Sequence, residues 1–103
     1  MHPRHRKAIR EGLARADRVV VADRTYALVI RKLCQRGQRE LFSGLVLEAG
    51  ITRFLDGFAP GQSPDTEEGR AIHYARDHAE AFLRWCRRHE RRVAEIIAET
   101  PNP

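Results

Sequence analysis

Arginine is the residue with which this chain is best equipped for chemistry. Arg84, Arg87, Arg88, Arg91 and Arg92 stand at offsets of 0, 3, 4, 7 and 8, and only Glu90 interrupts the run with opposite charge. On an α-helix those offsets fall on one continuous stripe. A guanidinium offers a planar fork of donors that grips phosphate or carboxylate through two parallel hydrogen bonds. The stripe is therefore a candidate anion-binding face, and Arg31, Lys32 and Arg36 form a second basic group that could join it. Nucleic acid fits such a face, and so does an acidic protein surface. A solubilising role fits as well, because positive charge alone does not choose among these.

Histidine is the next candidate. His73, Asp77 and Glu80 lie at i, i+4 and i+7, with His78 beside them. Helical His and carboxylate at this spacing hold metal in some bundles, but a two-metal site needs a matching set on other helices, and the chain has none. The set reads as a solvated face, and neither a metal nor a cofactor is implied. Cys34 and Cys86 are far apart in sequence and each falls on an apolar helical face. They read as small buried hydrophobes, since a metal site would want more ligands at closer spacing.

Two short stretches resemble known motifs. Arg84-Trp-Cys-Arg-Arg-His89 fits Arg-x4-His and resembles the nuclease motif of the small all-helical HEPN ribonucleases. That resemblance implies a dimer-interface site acting on the RNA backbone, with Arg84 on phosphate and His89 as acid or base. Ala-Gly-Ile-Thr-Arg, residues 49–53, resembles the turn of a helix-turn-helix DNA reader. It departs from that pattern at Asp56, where an apolar residue belongs, and at 57–60, which would cut the reading helix short.

Helices carry these residues. Ile72, Ala75, Ala79, Phe82, Cys86, His89, Val93 and Ile96 recur at spacings of three and four, the pattern of a packed seam. Ser63 as cap, Pro64 in the first turn and Asp65, Glu67 and Glu68 near the positive end mark the start. The spacing predicts one helix over 64–99, ended by Pro101 and Pro103. Upstream, Ile9, Leu13, Ala16, Val20, Ala27, Ile30 and Cys34 predict a helix over 7–36 that stops at Gly37, preceded by a basic arm over 1–6. The three valines at 19–21 favour strand locally, but no second strand is available to pair with them. Leu41, Phe42, Leu45, Val46, Ala49 and Phe54 predict a shorter buried helix over 38–57, with a loop over 58–63.

The expected fold is all-α, a single domain of 103 residues. It is a three-helix bundle, up-down-up, with the two long helices parallel. That alignment would set Arg4 to Arg10 beside Asp65 to Glu68 and gather Arg31, Lys32, Arg36 and Arg39 with the Arg84–Arg92 stripe into one basic pole. The excess helix length leaves apolar surface that a homodimer would cover. Net charge is +5, yet Arg4, Arg6, Lys7 and Arg10 hold +4 of it, so the rest is nearly neutral with local basic regions. No apolar run approaches a membrane span and no leader is visible, so a cytoplasmic protein is expected. Three functions follow in order. The first is a small non-enzymatic regulatory protein that binds nucleic acid through the Arg-rich face. The second is a protein-binding adaptor or inhibitor acting through helix faces. The third is a HEPN-like ribonuclease.

Overall fold

Apolar residues at helical spacing need partners on several sides, and the chain supplies them with helices alone. The computed structural model describes residues 21–43 and 47–101. Among them are five α-helices, two short 3-10 turns and no strand. The helices are α1 (21–35), α2 (Leu47–Phe58), α3 (Glu67–Asp77), α4 (Ala79–Arg88) and α5 (Glu90–Glu99), and the turns are Arg39–Phe42 and Ala59–Gly61. No described helix is long and apolar enough to cross a membrane. The basic arm, the first part of the 7–36 helix and the segment Arg4 to Arg10 lie outside the described residues.

α1 ends as its sequence requires. Gly37 sits at φ +76°. The Gln38 N–H donates to the Leu33 carbonyl at 2.9 Å and the Gly37 N–H to the Cys34 carbonyl at 3.0 Å. This paired 6→1 and 5→2 closure is the Schellman motif, and its left-handed residue favours glycine. Tyr26, Ala27, Val29, Ile30, Leu33 and Cys34 of α1 are all buried. α1 thus buries one whole side among the described helices. The described residues of the 38–57 segment form a 3-10 turn at Arg39–Phe42 and an α-helix over Leu47–Phe58. Ile51, Leu55 and Ala59 point inward at steps of four, whereas Ala49 is exposed and Phe54 half-buried. α2 also runs straight through Gly50, so no helix-turn-helix turn forms there.

The predicted 64–99 helix is three helices. Thr66, not Ser63, is the cap: its hydroxyl accepts the Gly69 N–H at 2.9 Å, while the Ser63 hydroxyl accepts the Asp65 N–H at 3.2 Å. The helix therefore starts at Glu67. It then bends at His78 (φ −125°, ψ 45°) and again at His89 (φ −126°, ψ 45°). The cause is the same at both. Each imidazole turns back so that Nδ1 donates to the carbonyl four residues earlier, Tyr74 at 3.0 Å and Trp85 at 2.9 Å. Each also stacks on that residue's ring, at 4.2 Å and 4.7 Å. Each bend is bonded from both sides, His78 to Tyr74 and Phe82 to His78 at the first, His89 to Trp85 and Val93 to His89 at the second, so each histidine closes one helix and opens the next.

The unit aromatic-x3-His recurs after eleven residues, from Tyr74 and His78 to Trp85 and His89. Eleven residues make three helical turns, so the two aromatics return to one side. Both meet Tyr26 of α1, at centroid distances of 6.3 Å and 5.3 Å, and Phe82 joins the cluster at 5.1 Å. Ile72, Ala75, Phe82, Cys86, Val93 and Ile96 of the seam are buried and Ala79 is half-buried. His89 breaks the pattern. It is exposed, because the bend and the ring stack turn it out of the seam.

Polar ties fix how the elements lie. Arg24 pairs with Glu67 at 2.7 Å and Lys32 with Glu68 at 3.4 Å, which sets the acidic start of α3 against the middle of α1. Arg92 pairs with Asp23 at 3.0 Å, and Arg39, just past α1, donates to the carbonyl of Thr100. Those two ties give α5 the same direction as α1, the sense expected for the long helices.

Candidate anion-binding site

Arg84, Arg87 and Arg88 lie on α4 and Arg91 lies in the first turn of α5, and all four are exposed. Arg88 and Arg91 flank the bend at His89, one closing α4 and the other in the first turn of α5. Arg84, Arg88 and Arg91 have no ion pair among the described residues. Arg92 behaves differently. Its Nε donates to Asp23 Oδ1 at 3.0 Å, its Nη2 to Oδ2 at 3.3 Å, and its Nη1 lies 3.5 Å from Glu95. The hydrogen bonds to Asp23, opposed in part by desolvation, hold the Arg92 proton more firmly than usual. This bidentate fork joins α1 to α5 and is a structural use of arginine.

His89 sits within this face. A carbonyl oxygen can only accept, so the contact with Trp85 places the proton on Nδ1 and leaves Nε2 as the open nitrogen. Trp85 itself is half-buried between Tyr26 and the His89 ring, so it is not a bare platform for a base. Arg84 and His89, the pair in the HEPN-like motif, are both exposed, with His89 at the bend.

The other basic candidates are dispersed. Arg31 is half-buried, Lys32 is drawn to Glu68, and the Arg36 guanidinium lies over the Phe58 ring at 5.3 Å. Lys32 stands nine residues along α1 from Asp23, the partner of Arg92, which is ~13 Å of helix. Arg39 spends one nitrogen on Thr100, and its buried Nε has no partner. The histidines of the metal reading are turned to backbone: His73 Nε2 to the Gln62 carbonyl at 2.8 Å, and His78 to Tyr74. Among the described residues no group of three or more His, Cys, Asp or Glu could hold a metal. Cys34 and Cys86 are buried free thiols. Burial pushes Cys86 up to about 12 and also raises Cys34, where nearby Arg39 pulls the other way.

Two residues that organise this face went unread in the sequence. Asp23 anchors Arg92, and Tyr26 seats Trp85. The repeated aromatic-x3-His unit was the available signal. Comparison with protein-family models, with curated proteins and with solved structures found no match for this chain.

Proposed function

We propose that this chain is a small non-enzymatic nucleic-acid-binding protein whose α4–α5 face holds the phosphate backbone. One observation carries the reading: the arginines are divided by use. Arg24, Arg76 and Arg92 are spent on carboxylates, whereas Arg84, Arg88 and Arg91 stand exposed without ion pairs among the described residues. Uncommitted guanidinium groups on one surface bind a polyanion by releasing its counterions, and phosphate contacts position a ligand without reading sequence. Trp85 is enclosed between two rings, so base stacking adds little and binding is sequence-tolerant. The test is fluorescence anisotropy with labelled duplex DNA, single-stranded DNA and RNA at about 50 mM salt. The Arg84→Glu, Arg88→Glu, Arg91→Glu triple variant should melt like the parent and lose binding. Equal binding by parent and variant defeats the reading.

A second reading, protein docking, draws on a different surface. Val21 and Tyr74, 61% and 46% exposed, are the exposed large hydrophobics among the described residues, and both line one groove between α1 and α3. A second copy covering that groove would double the mass from 11.9 kDa in light scattering. The ribonuclease reading is checked on the same samples. RNA cleavage lost in His89→Ala would establish it, and stable RNA in the parent removes it.

A further inference from the structure

The end of α1 meets the end of α2 in a groove of unusual composition. It is lined by Arg36, Arg53, Phe54 and Phe58, with Gln35, Gln38, Gly37 and Gly57 completing the wall. Two arginines and two glutamines line it, and among the described residues no carboxylate does. The nearest acid on α2 with a described side chain, Asp56, is turned towards Arg76 at 3.6 Å. Neither Arg36 nor Arg53 has an ion pair among the described residues.

Arg36 is held in place. Its guanidinium lies over the Phe58 ring at 5.3 Å, and Phe58 packs on Phe54 at 5.2 Å with 31° between planes. A stacked guanidinium keeps its in-plane donors free and loses little freedom when they are used. The helix ends here bring carbonyl dipoles, which oppose an anion. At α1 most of those carbonyls are used: Leu33 and Cys34 accept from Gln38 and Gly37, and the Gln38 amide donates to the Arg36 carbonyl at 3.4 Å. The groove also has room, since a Cβ built on Gly37 or Gly57 would meet nothing within 4 Å.

We infer that this groove binds a nucleoside monophosphate, with the phosphate between Arg36 and Arg53 and the base against the Phe54–Phe58 side. Two forks on one anion supply the phosphate contact. A half-buried aromatic pair with a guanidinium over it supplies a surface for a planar ring. The inference does not rest on the α4–α5 reading, because no arginine is shared between the two sites.

Adenosine 5′-monophosphate, adenosine, ribose 5-phosphate and inorganic phosphate are the probes, each titrated to about 10 mM into isotope-labelled protein. The readout is the amide shifts of Gly37 and Gly57 and the ring shifts of Phe54 and Phe58. Saturable shifts are expected with the mononucleotide, at least tenfold weaker with each fragment. Arg53→Glu should weaken the mononucleotide by about tenfold to a hundredfold, the size of removing one charge-assisted hydrogen bond. Gly57→Leu fills the groove from an open helical position and should remove binding without lowering the melting temperature. The Arg84, Arg88, Arg91 triple variant should bind the mononucleotide like the parent. No saturable shift, binding of adenosine alone as tight as the mononucleotide, or full binding in Gly57→Leu would each overturn the proposal. Inorganic phosphate binding as tightly as the mononucleotide would overturn the assignment of the base.

Discussion

Two helical glycines should answer the same substitution with opposite signs. Replacing glycine by alanine inside a helix normally stabilises it by up to ~1 kcal/mol, through helix propensity and a less disordered unfolded chain. Gly57, in the last turn of α2, should follow that rule, because its added Cβ would touch nothing within 4 Å. Gly69, in the first turn of α3, should not. Its Cβ would lie 1.6 Å from the Ser63 carbonyl oxygen, 2.7 Å from the Ser63 carbonyl carbon and 2.8 Å from Thr66 Oγ1. The first two are backbone atoms, so the turn over 63–66 must move. That motion breaks the Thr66 cap on the Gly69 N–H, worth about 0.5–2 kcal/mol. It also disturbs the bond from the Arg70 side chain to the Asp65 carbonyl and that from the Asp65 N–H to Ser63, which together contribute about 1 kcal/mol. Set against the propensity gain, Gly69→Ala should destabilise by about 1–2 kcal/mol. In a domain of this size that lowers the melting temperature by roughly 5–15 °C. Gly57→Ala should hold or raise it. Thermal melts of both variants by circular dichroism decide between the two signs. A Gly69→Ala protein that melts at or above the parent would refute the close approach of Ser63 to α3.

Phe82, fully buried and packed on Tyr26, should cost about 3–5 kcal/mol on truncation to alanine, a large part of the stability of so small a domain. Chemical denaturation of Phe82→Ala measures it, and a midpoint equal to the parent's would mean the seam is not the core. The thiols give a pH prediction. Burial holds Cys86 protonated up to about 12, against 9.0 for an ordinary thiol, so the unfolded chain releases that proton first. Stability should be unaffected below about pH 9 and fall by about 1.4 kcal/mol per pH unit between about 9 and 12. Cys86→Ala should flatten that alkaline slope, and an unchanged slope would rule out Cys86 as its source. At about pH 8 a thiol reagent should label neither Cys34 nor Cys86 until denaturant is added, because only the exposed thiolate reacts. Removing the Asp23–Arg92 tie by Asp23→Asn should lower stability only slightly, since both groups are partly exposed and screened by water. Hydrogen exchange should show that weakening at α5 more than at α2.

The helical class was plain from spacing, because residues at steps of three and four bury only on helices. The stop at Gly37 was equally plain, since glycine is the residue a left-handed closing position favours. Ile72, Ala75, Phe82, Cys86, Val93 and Ile96 were legible as one buried series. The bends were not. Nothing in the apolar pattern marks His78 or His89, because the deviation arises from a side chain bonding to its own helix. The register of the 38–57 segment escaped too, because Arg39–Phe42 form a 3-10 turn rather than the first turn of one α-helix. The site was half legible. A run of arginines is visible in any sequence, but which of them meets a carboxylate depends on distant residues such as Asp23 and Asp56.

The salt dependence of polyanion binding bears hardest on the α4–α5 face as a holder of phosphate. Each phosphate interaction removed should reduce the slope of log K against log salt by about 0.7–0.9. Replacing Arg84, Arg88 and Arg91 by glutamine removes three charges and leaves the Asp23–Arg92 tie untouched. The slope measured with single-stranded and duplex oligonucleotides should then fall by about 2 to 3, with weaker binding at every salt concentration and little change in preference among sequences. An unchanged slope in the glutamine variant, or a parent protein that binds no nucleic acid at low salt, would show that these arginines do not hold a phosphate backbone.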